Sequence, residues 1–526
     1  MQTVMQYDQS RAPVIEAPRA SFKLDHGVKT TIDFDTLYPF GVYEILPGDT
    51  FTVNPNVFAR LATPLFPIMD NMYLDIHYFW CPMRLLWDNS RKFFGEQHDP
   101  GDSIDFTIPT MAATATTGEG ELSLWDYFGL PTKVPDYTVS ALPFRMYCLC
   151  YNFWYRDQNL IDSIDISTAD GAPDVTTPRA LYKRGKRFDY FTSCLAAPQK
   201  STSGAQSLPL GTSANVTYDG AENTDIGVYS TVLTANSTVD TDGTASGNVK
   251  LDSGTPTGLL YADLSTATAA TILQLRQAMA IQQLLELDAR AGTRYNEIVY
   301  SVFGVTMIDV TYQPEFLGGG STPINITQVA STYDNGTLDT KGELAAYGTA
   351  FLDNGGFTKS FTEHGYVMGI VSARADLTYQ QGTDKMWLRS TRYDFMYPIL
   401  QNIGDEAVNI IELYTQDPTQ DTGSTGTPDN DRVFGYQERY ASYKYQRSMI
   451  TGLFRSNCTS SLEAWHLSEE FTALPGFNQT FIEQNTPVDR AIKVTSEPHL
   501  ILDGYINIQA ARPMHLYSIP GFGSRF

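Results

Sequence analysis

The sequence predicts an all-β protein, and three observations carry that prediction. Aromatic residues are abundant, with 31 Tyr and 28 Phe against 36 Lys plus Arg, the balance of a chain that lays many rings on pleated surfaces. Turn formers run throughout, with 40 Gly and 28 Pro. The densest extended signal, Thr30 to Glu96, alternates with a period near two. There Val42, Ile45, Phe51 and Val53 flank the breaker Pro47-Gly48-Asp49, so two strands meet at a tight turn. Met72, Leu74, Ile76, Tyr78 and Trp80 then alternate with Tyr73, Asp75, His77 and Phe79, which predicts a strand with one fully buried face.

Taken in order, residues 1–29 combine Arg11, Pro13, Pro18, Arg19 and Lys23 with few apolar residues. They read as an extended arm that packs along other chains, or as a frayed terminus. Residues 30–200 hold the first part of the β core. Within them Leu142 to Asp162 has helix-like spacing through Met146, Leu149, Phe153 and Trp154, and predicts a buried helix. Leu181 to Lys200 then brings a compact basic cluster, Lys183, Arg184, Lys186 and Arg187. From Ser201 to Thr271 the chain turns to Thr, Ser, Gly, Ala and Asn. Such a segment cannot bury enough surface for a core of its own, so it predicts a surface excursion, with room for hairpins at 228–233 and 249–251.

Leu275, Ala278, Met279, Ile281, Leu284 and Leu285 lie on one arc of a helix over Thr271 to Arg290, with Gly292 placed to cap it. Residues 272–526 otherwise return to sheet, with alternating runs at 297–310, 366–371 and 376–379. Turn signals separate them at LGGGST (317–322), DNGT (334–337) and DNGG (353–356). Residues 416–431 form a polar loop by composition, and Ile506, Ile508, Met514, Leu516 and Ile519 end the chain on strand-like sequence.

At 526 residues the chain exceeds one ordinary domain, so it holds two or three domains or one core with large insertions. A net charge of −23 leaves little capacity to neutralise phosphates and excludes an ordinary nucleic-acid binder. Five cysteines, an odd number, argue for buried free thiols rather than a disulfide framework. The first residues lack a basic start followed by an apolar stretch, and no run of 18 apolar residues occurs, so neither secretion nor membrane insertion is expected. LGGGST lacks the lysine and glycine spacing of a phosphate loop and reads as a turn. The seven histidines never take metal-ligand spacing, and Cys148 and Cys150 lack partner cysteines for zinc. The carboxylate pairs Glu469 with Glu470 and Asp429 with Asp431 read as solvated loop charge rather than a hydrolytic pair. No cofactor is expected.

The phrases YEILPGDTF, RLATPLFPIMDNMYLD, FWCPMRLLWDN, LRQAMAIQQLLELDARAGTRYNEIV, TEHGYVMGIVSARADLTYQQG and FGYQERYASYKYQRSMITG, in this order, resemble one family. It is the major capsid protein family of the gokushovirus branch of the Microviridae, small tailless single-stranded-DNA phages. The resemblance covers well over half the chain and departs mainly at 201–271. It implies an eight-stranded antiparallel jelly roll with long inter-strand insertions containing a few helices, assembled as a small T=1 icosahedral shell around circular single-stranded DNA. It also implies that 201–271 builds a protrusion at the three-fold axes. The partners it implies are further copies of the chain, a small basic DNA-binding protein, pilot and internal scaffolding proteins and a bacterial surface receptor. Location would be the virion, assembled in the host bacterial cytoplasm.

On this view no residue is catalytic. Lys183, Arg184, Lys186 and Arg187 would meet phosphates, with Tyr190 and its neighbours Phe188 and Phe191 stacking on bases. A solvated or interface-bridging cluster is the alternative. Tyr218, Asn223, Tyr229, Asn236 and Asp242 are candidates for host attachment. Arg11, Arg19, Tyr436, Tyr440 and Tyr443 are candidates for subunit contacts, with core tyrosines as the alternative for the last three. Two other function classes stand beside the capsid: a receptor-binding module, and a glycan-hydrolysing β-rich surface protein, for which no mechanistic constellation is visible.

Overall fold

Along Leu500–Arg512 every second side chain is buried, Leu500, Leu502, Ile506, Ile508 and Ala510, while Ile501, Asp503, Tyr505 and Gln509 face outward, as a period of two requires. This strand, β17, is the centre of a sheet in the computed structural model, which describes residues 18–171, 174–198, 215–218, 260–263, 272–308, 312–333, 341–417 and 429–517. On one side β17 pairs with β1 (Ala20–Lys23) and β2 (His26–Ile32), one after the other, and on the other side with β4 (Thr50–Leu61). Beyond β4 lie β12 (Leu344–Leu352) and β13 (Phe357–Ser360), and β11 (Asn325–Ala330) extends the sheet past β12. A second sheet has the order β10 (Glu315–Pro323), β5 (Met72–Pro82), β14 (Gly365–Ala375), β3 (Tyr38–Ile45). All these pairs are antiparallel.

Between the sheets lies one core, in which Phe51, Val53 and Val57 of β4 and Leu502 and Ile506 of β17 join Leu74, Ile76 and Tyr78 of β5 and Val367 and Val371 of β14. Each such burial removes apolar surface from water and contributes about 1.5–3 kcal/mol. The other face of the second sheet is covered too. There Phe79, Cys81, Met368 and Ile370 share a core with helix α3 (Leu142–Cys150), with Trp87, which precedes the short helix α1 (Ser90–Phe93), and with Trp125 of the short helix α2 (Leu124–Tyr127). Strand β5 is therefore buried on both faces, where its sequence predicted one. A strand covered on both sides still alternates if one cover is polar, and here Asp75 and His77 supply the polar positions.

The helix expected over 142–162 forms over its first part, as α3 continued by a π turn at Tyr151–Tyr155, and 156–162 is turn and coil. Other expectations are corrected. Ala20–Ile32, expected up to residue 29 as an arm along other chains, is instead two strands of the chain's own first sheet. The Pro47-Gly48-Asp49 turn joins β3 to β4 as expected, and carries the chain from one sheet to the other. LGGGST is strand rather than turn. Its glycines serve close approach, since a Cβ on Gly319 would strike the His77 ring and one on Gly320 would strike Asn354. The run 297–310 begins as helix α5 (Tyr295–Phe303), where the Glu297 carboxylate accepts the Arg294 N–H and Gly304 closes the end at φ +68°. Residues 376–379 make only an isolated bridge at Tyr379. DNGG is a bulge between β12 and β13, which pair in turn along β4, with Gly355 at φ +90°. DNGT, most of the 416–431 loop, both hairpin candidates and Ile519 lie outside the described residues, and Met514 and Leu516 follow β17 without strand pairing.

Smaller ribbons pair β6 (Thr110–Ala112) with β7 (Thr138–Ser140) and β15 (Asp405–Asn409) with β16 (Val433–Glu438). A third core gathers around the latter, with Tyr190, Phe191, Tyr379, Phe434 and Phe481. The chain divides into two compact units, 1–198 with 292–526, and 199–291. In the second, β8 (Asn215–Tyr218) pairs with β9 (Leu260–Asp263), and helix α4 runs over Ile272–Ala291. The cysteines are free, four of them buried. Among the described residues no helix is long and apolar enough to cross a membrane.

Candidate nucleic-acid interface and subunit contacts

The basic cluster runs as extended chain between two other segments. Arg184 N–H donates to Asp35 O on one side and Arg184 O accepts from Gln484 N–H on the other, while Lys186 N–H donates to Ile482 O. Side chains on such a backbone alternate, so Arg184 and Lys186 point inward and Lys183 and Arg187 outward. Inside, the Arg184 guanidinium donates to Asp75 at 2.8 Å and to the Ser372 hydroxyl at 3.0 Å. Arg374 meets the same Asp75 oxygen at 2.7 Å and lies over the Tyr73 ring, and Ser321 donates to the other oxygen at 2.6 Å. Burial works against the Asp75 charge, but the two guanidiniums and the hydroxyl outweigh it and hold the carboxyl below its usual range.

Lys186 is buried as well. Its ammonium reaches Glu469 at 2.7 Å and sits 4.1 Å from the Phe481 ring centre, so Glu469, expected as solvated loop charge, is half of a covered ion pair. Tyr190 is buried, its hydroxyl donating to Glu412 at 3.1 Å and its ring stacked on Tyr445. It cannot stack on a base without leaving this core. What faces outward is Lys183, bonded to Asn485, together with Arg187, bonded to Asp376 at 3.3 Å, and Phe188, whose ring is 80% exposed. Arg187 and Phe188 border a cavity of about 240 Å³ lined also by Asp189, Asp376, Tyr379 and Gln484. Sequence reading could not separate the inward from the outward pair, because the partners Asp75, Glu469 and Asp376 lie 109, 283 and 189 residues away.

Next to Asp75, burial pushes the His77 imidazole down to about 4, and the ring shares a 2.7 Å hydrogen bond with the Tyr155 hydroxyl. The unfolded chain takes up this proton near pH 6.5 and the folded chain only near 4, so acid favours unfolding through this group. At pH 5 the loss is on the order of 2 kcal/mol. Wild-type protein is therefore expected to lose more stability than His77→Gln when urea midpoints at pH 7 and pH 5 are compared. Buried Asp35 and Glu412 and half-buried Asp70 and Glu469, whose carboxyls are raised by desolvation, push the other way in both proteins and cancel in the difference.

Of the subunit-contact candidates, Arg19 clasps its own chain, donating to Gly48 O at 2.7 Å and to the Thr50 hydroxyl at 2.9 Å. Tyr440 is buried, with its hydroxyl on Tyr393 O, so it is a core residue. Tyr436 is half-buried in β16, and Tyr443 is exposed with Arg389 over its ring. Tyr218 ends β8; Arg11, Asn223, Tyr229, Asn236 and Asp242 lie outside the described residues. No group of three His, Cys, Asp or Glu among the described residues could hold a metal ion.

Residues 10–522 match the family described as Capsid protein (F protein). The chain belongs to this phage capsid family. Capsid protein VP1 of Bdellovibrio phage phiMH2K is 45% identical to it over 99% of this chain and 98% of its own length. Capsid protein VP1 of Chlamydia phage 1 is 37% identical over 99% and 98%, and that of Spiroplasma virus 4 is 31% identical over 96% and 95%. The gokushovirus resemblance is thus borne out along the whole chain. This capsid protein is a structural protein of the virion that assembles into a shell of copies, and its family is not an enzyme family, which removes the glycan hydrolase.

Proposed function

We propose that this capsid protein closes a small T=1 icosahedral shell around circular single-stranded DNA. The match of nearly the whole chain to the capsid family carries the reading. An eight-stranded jelly roll fits the two packed antiparallel sheets if β1 with β2, and β12 with β13, each count as one interrupted strand and β11 belongs to an insertion. The acidic chain needs cations from elsewhere to hold DNA, which a small basic protein supplies. Pilot and internal scaffolding proteins complete an assembly that takes place in the host cytoplasm. The insertion at 201–271, by its polar composition, forms the surface protrusion used in attachment to a bacterial receptor.

Direct DNA contact rests on Lys183, Arg187 and Phe188, two outward cations beside an exposed ring, the combination that tracks a phosphate backbone and stacks on a base. Lys183→Gln, Arg187→Gln and Phe188→Ala together are expected to leave shells intact and reduce packaged DNA several-fold, read as nucleic-acid absorbance per purified particle. Unchanged DNA content would remove these residues from the interface. Replacing all four basic residues would confuse the test, since Arg184 and Lys186 support the fold.

A further inference from the structure

Strand β11 closes the first sheet beyond β12, and no strand of the two main sheets pairs with its other side. Its 6 residues keep an unbroken register with β12, from Asn325 opposite Thr349 to Ala330 opposite Leu344. Ser331 continues that ladder by donating its N–H to Glu343 O. Residues in an antiparallel ladder alternate. Asn325, Thr327 and Val329 therefore turn their peptide groups to β12, as Ser331 does, and Ile326, Gln328 and Ala330 turn theirs to the open side. Among the described residues none of those three has a backbone partner there. Such an edge is a template for another strand, and proteins ordinarily blunt it with charge, proline or a bulge. The other edges of the two sheets are blunted in this way. β1 and β2 break at Leu24 and Asp25 and carry Lys23 and Lys29, and β13 is short and carries Lys359. β3 carries Pro39, Glu44 and a register shift, while β10 shifts register after Phe316 and lies against Asn354 and Gly356. β11 has none of these devices: from Phe316 to Tyr333 no residue is charged, and the one proline, Pro323, precedes the strand.

We propose that β11 pairs antiparallel with β11 of a second copy of the capsid protein across a two-fold axis of the shell, joining two first sheets into one. The inference rests on the shell reading above and adds the edge at which copies meet. A two-fold contact sets a surface against itself, so the surface that receives β11 is β11. Only a pairing centred on Gln328 uses every outward peptide group: Gln328 faces its own copy, and Ile326 faces Ala330 of the partner subunit. The side chains suit that arrangement. Near a two-fold axis each side chain meets its like, where a charged one would repel its copy. β11 and β12 hold no charged residue, in a chain of net charge −23. The Gln328 amide has both a donor and an acceptor and so can bond its own copy. Val329, 47% exposed, comes to lie opposite Thr327 of the partner subunit, a β-branched pair that fits a pleated surface. A basic partner protein and DNA alike find no opposite charge on this edge.

The test uses the full-length protein in infected host cells, with Cys458→Ser to remove the one cysteine that is not buried. Adding Gln328→Cys places two thiols across the axis with Cα atoms about 5.5 Å apart, within reach of a disulfide. Oxidised shells should then run as covalent dimers in the absence of reductant. Adding Asn325→Cys instead leaves the thiol about 20 Å from its copy and should give no dimer. Absence of dimer from Gln328→Cys shells, or dimer from both variants, would overturn the proposal. A cross-link from position 328 to a different virion protein would assign the edge to that protein and overturn it too. Independently, Gln328→Pro removes an N–H that β12 does not use, so thermal melting of the soluble subunit should hold while shell yield falls at least about tenfold. Wild-type shell yield from Gln328→Pro would also overturn the proposal. No shells from the wild-type gene would instead sink the capsid reading on which it rests.

Discussion

Asp174→Asn is expected to destabilise the capsid protein by about 3–5 kcal/mol, enough to deplete soluble subunit at 37 °C. Arg145 stands on α3, with its side chain 1% exposed, and donates to Asp174 at 2.8 Å, to Leu86 O at 3.0 Å and to Ala169 O at 3.1 Å. Asp174 in turn accepts from the backbone and hydroxyl of Thr177. The pair ties the helical layer to the loops that cover it. A buried guanidinium cannot shed its proton, so removing the carboxylate charge strands a cation among Trp87, Leu142 and Met146. The converse change, Arg145→Met, leaves an acid that can take up a proton and stay hydrogen-bonded to Thr177, so it should cost less. Urea midpoints of the two variants check the order, and an Asp174→Asn midpoint within error of wild type would refute the account.

The second large effect concerns the basic cluster itself. Asp75→Asn is expected to cost about 3–5 kcal/mol, because it takes from Arg184 its carboxylate partner in a covered site and leaves Arg374 with Asp376 alone. Arg184→Gln should cost less, since Arg374 still neutralises Asp75, whereas Lys183→Gln, with its side chain in water, should stay within about 0.5 kcal/mol of wild type. Two lysine and arginine neighbours one residue apart would then differ by several-fold in unfolding constant. Equal small effects at 183 and 184 would mean that Arg184 is free for DNA after all, and would restore the cluster of four as one interface.

The contrast between those neighbours shows how far the chain could be read locally. Strand β17 and helix α3 were legible because alternation and helical spacing are properties of a few consecutive residues. The run at 297–310 was misread because Ile298, Val299, Val302 and Phe303 satisfy a short strand and a helix alike, and only the Arg294–Glu297 cap and Gly304 decide between them. LGGGST was misread because glycine triplets most often mark turns, while here the tight space around His77 and Asn354 demands them. Tyr440 stayed open between two readings for a related reason, since a tyrosine suits a core and an interface equally and burial alone distinguishes the two.

By itself the sequence determined the β-rich class, the free thiols, the acidic charge and the membership in a capsid family, because these depend on composition and on short phrases read in order. Tertiary structure alone decided which cations are spent inside and which face of β5 is covered by what. Those outcomes depend on partners one hundred to three hundred positions away, such as Asp75 for Arg184 and Glu469 for Lys186, and no local pattern encodes which distant carboxylate will arrive.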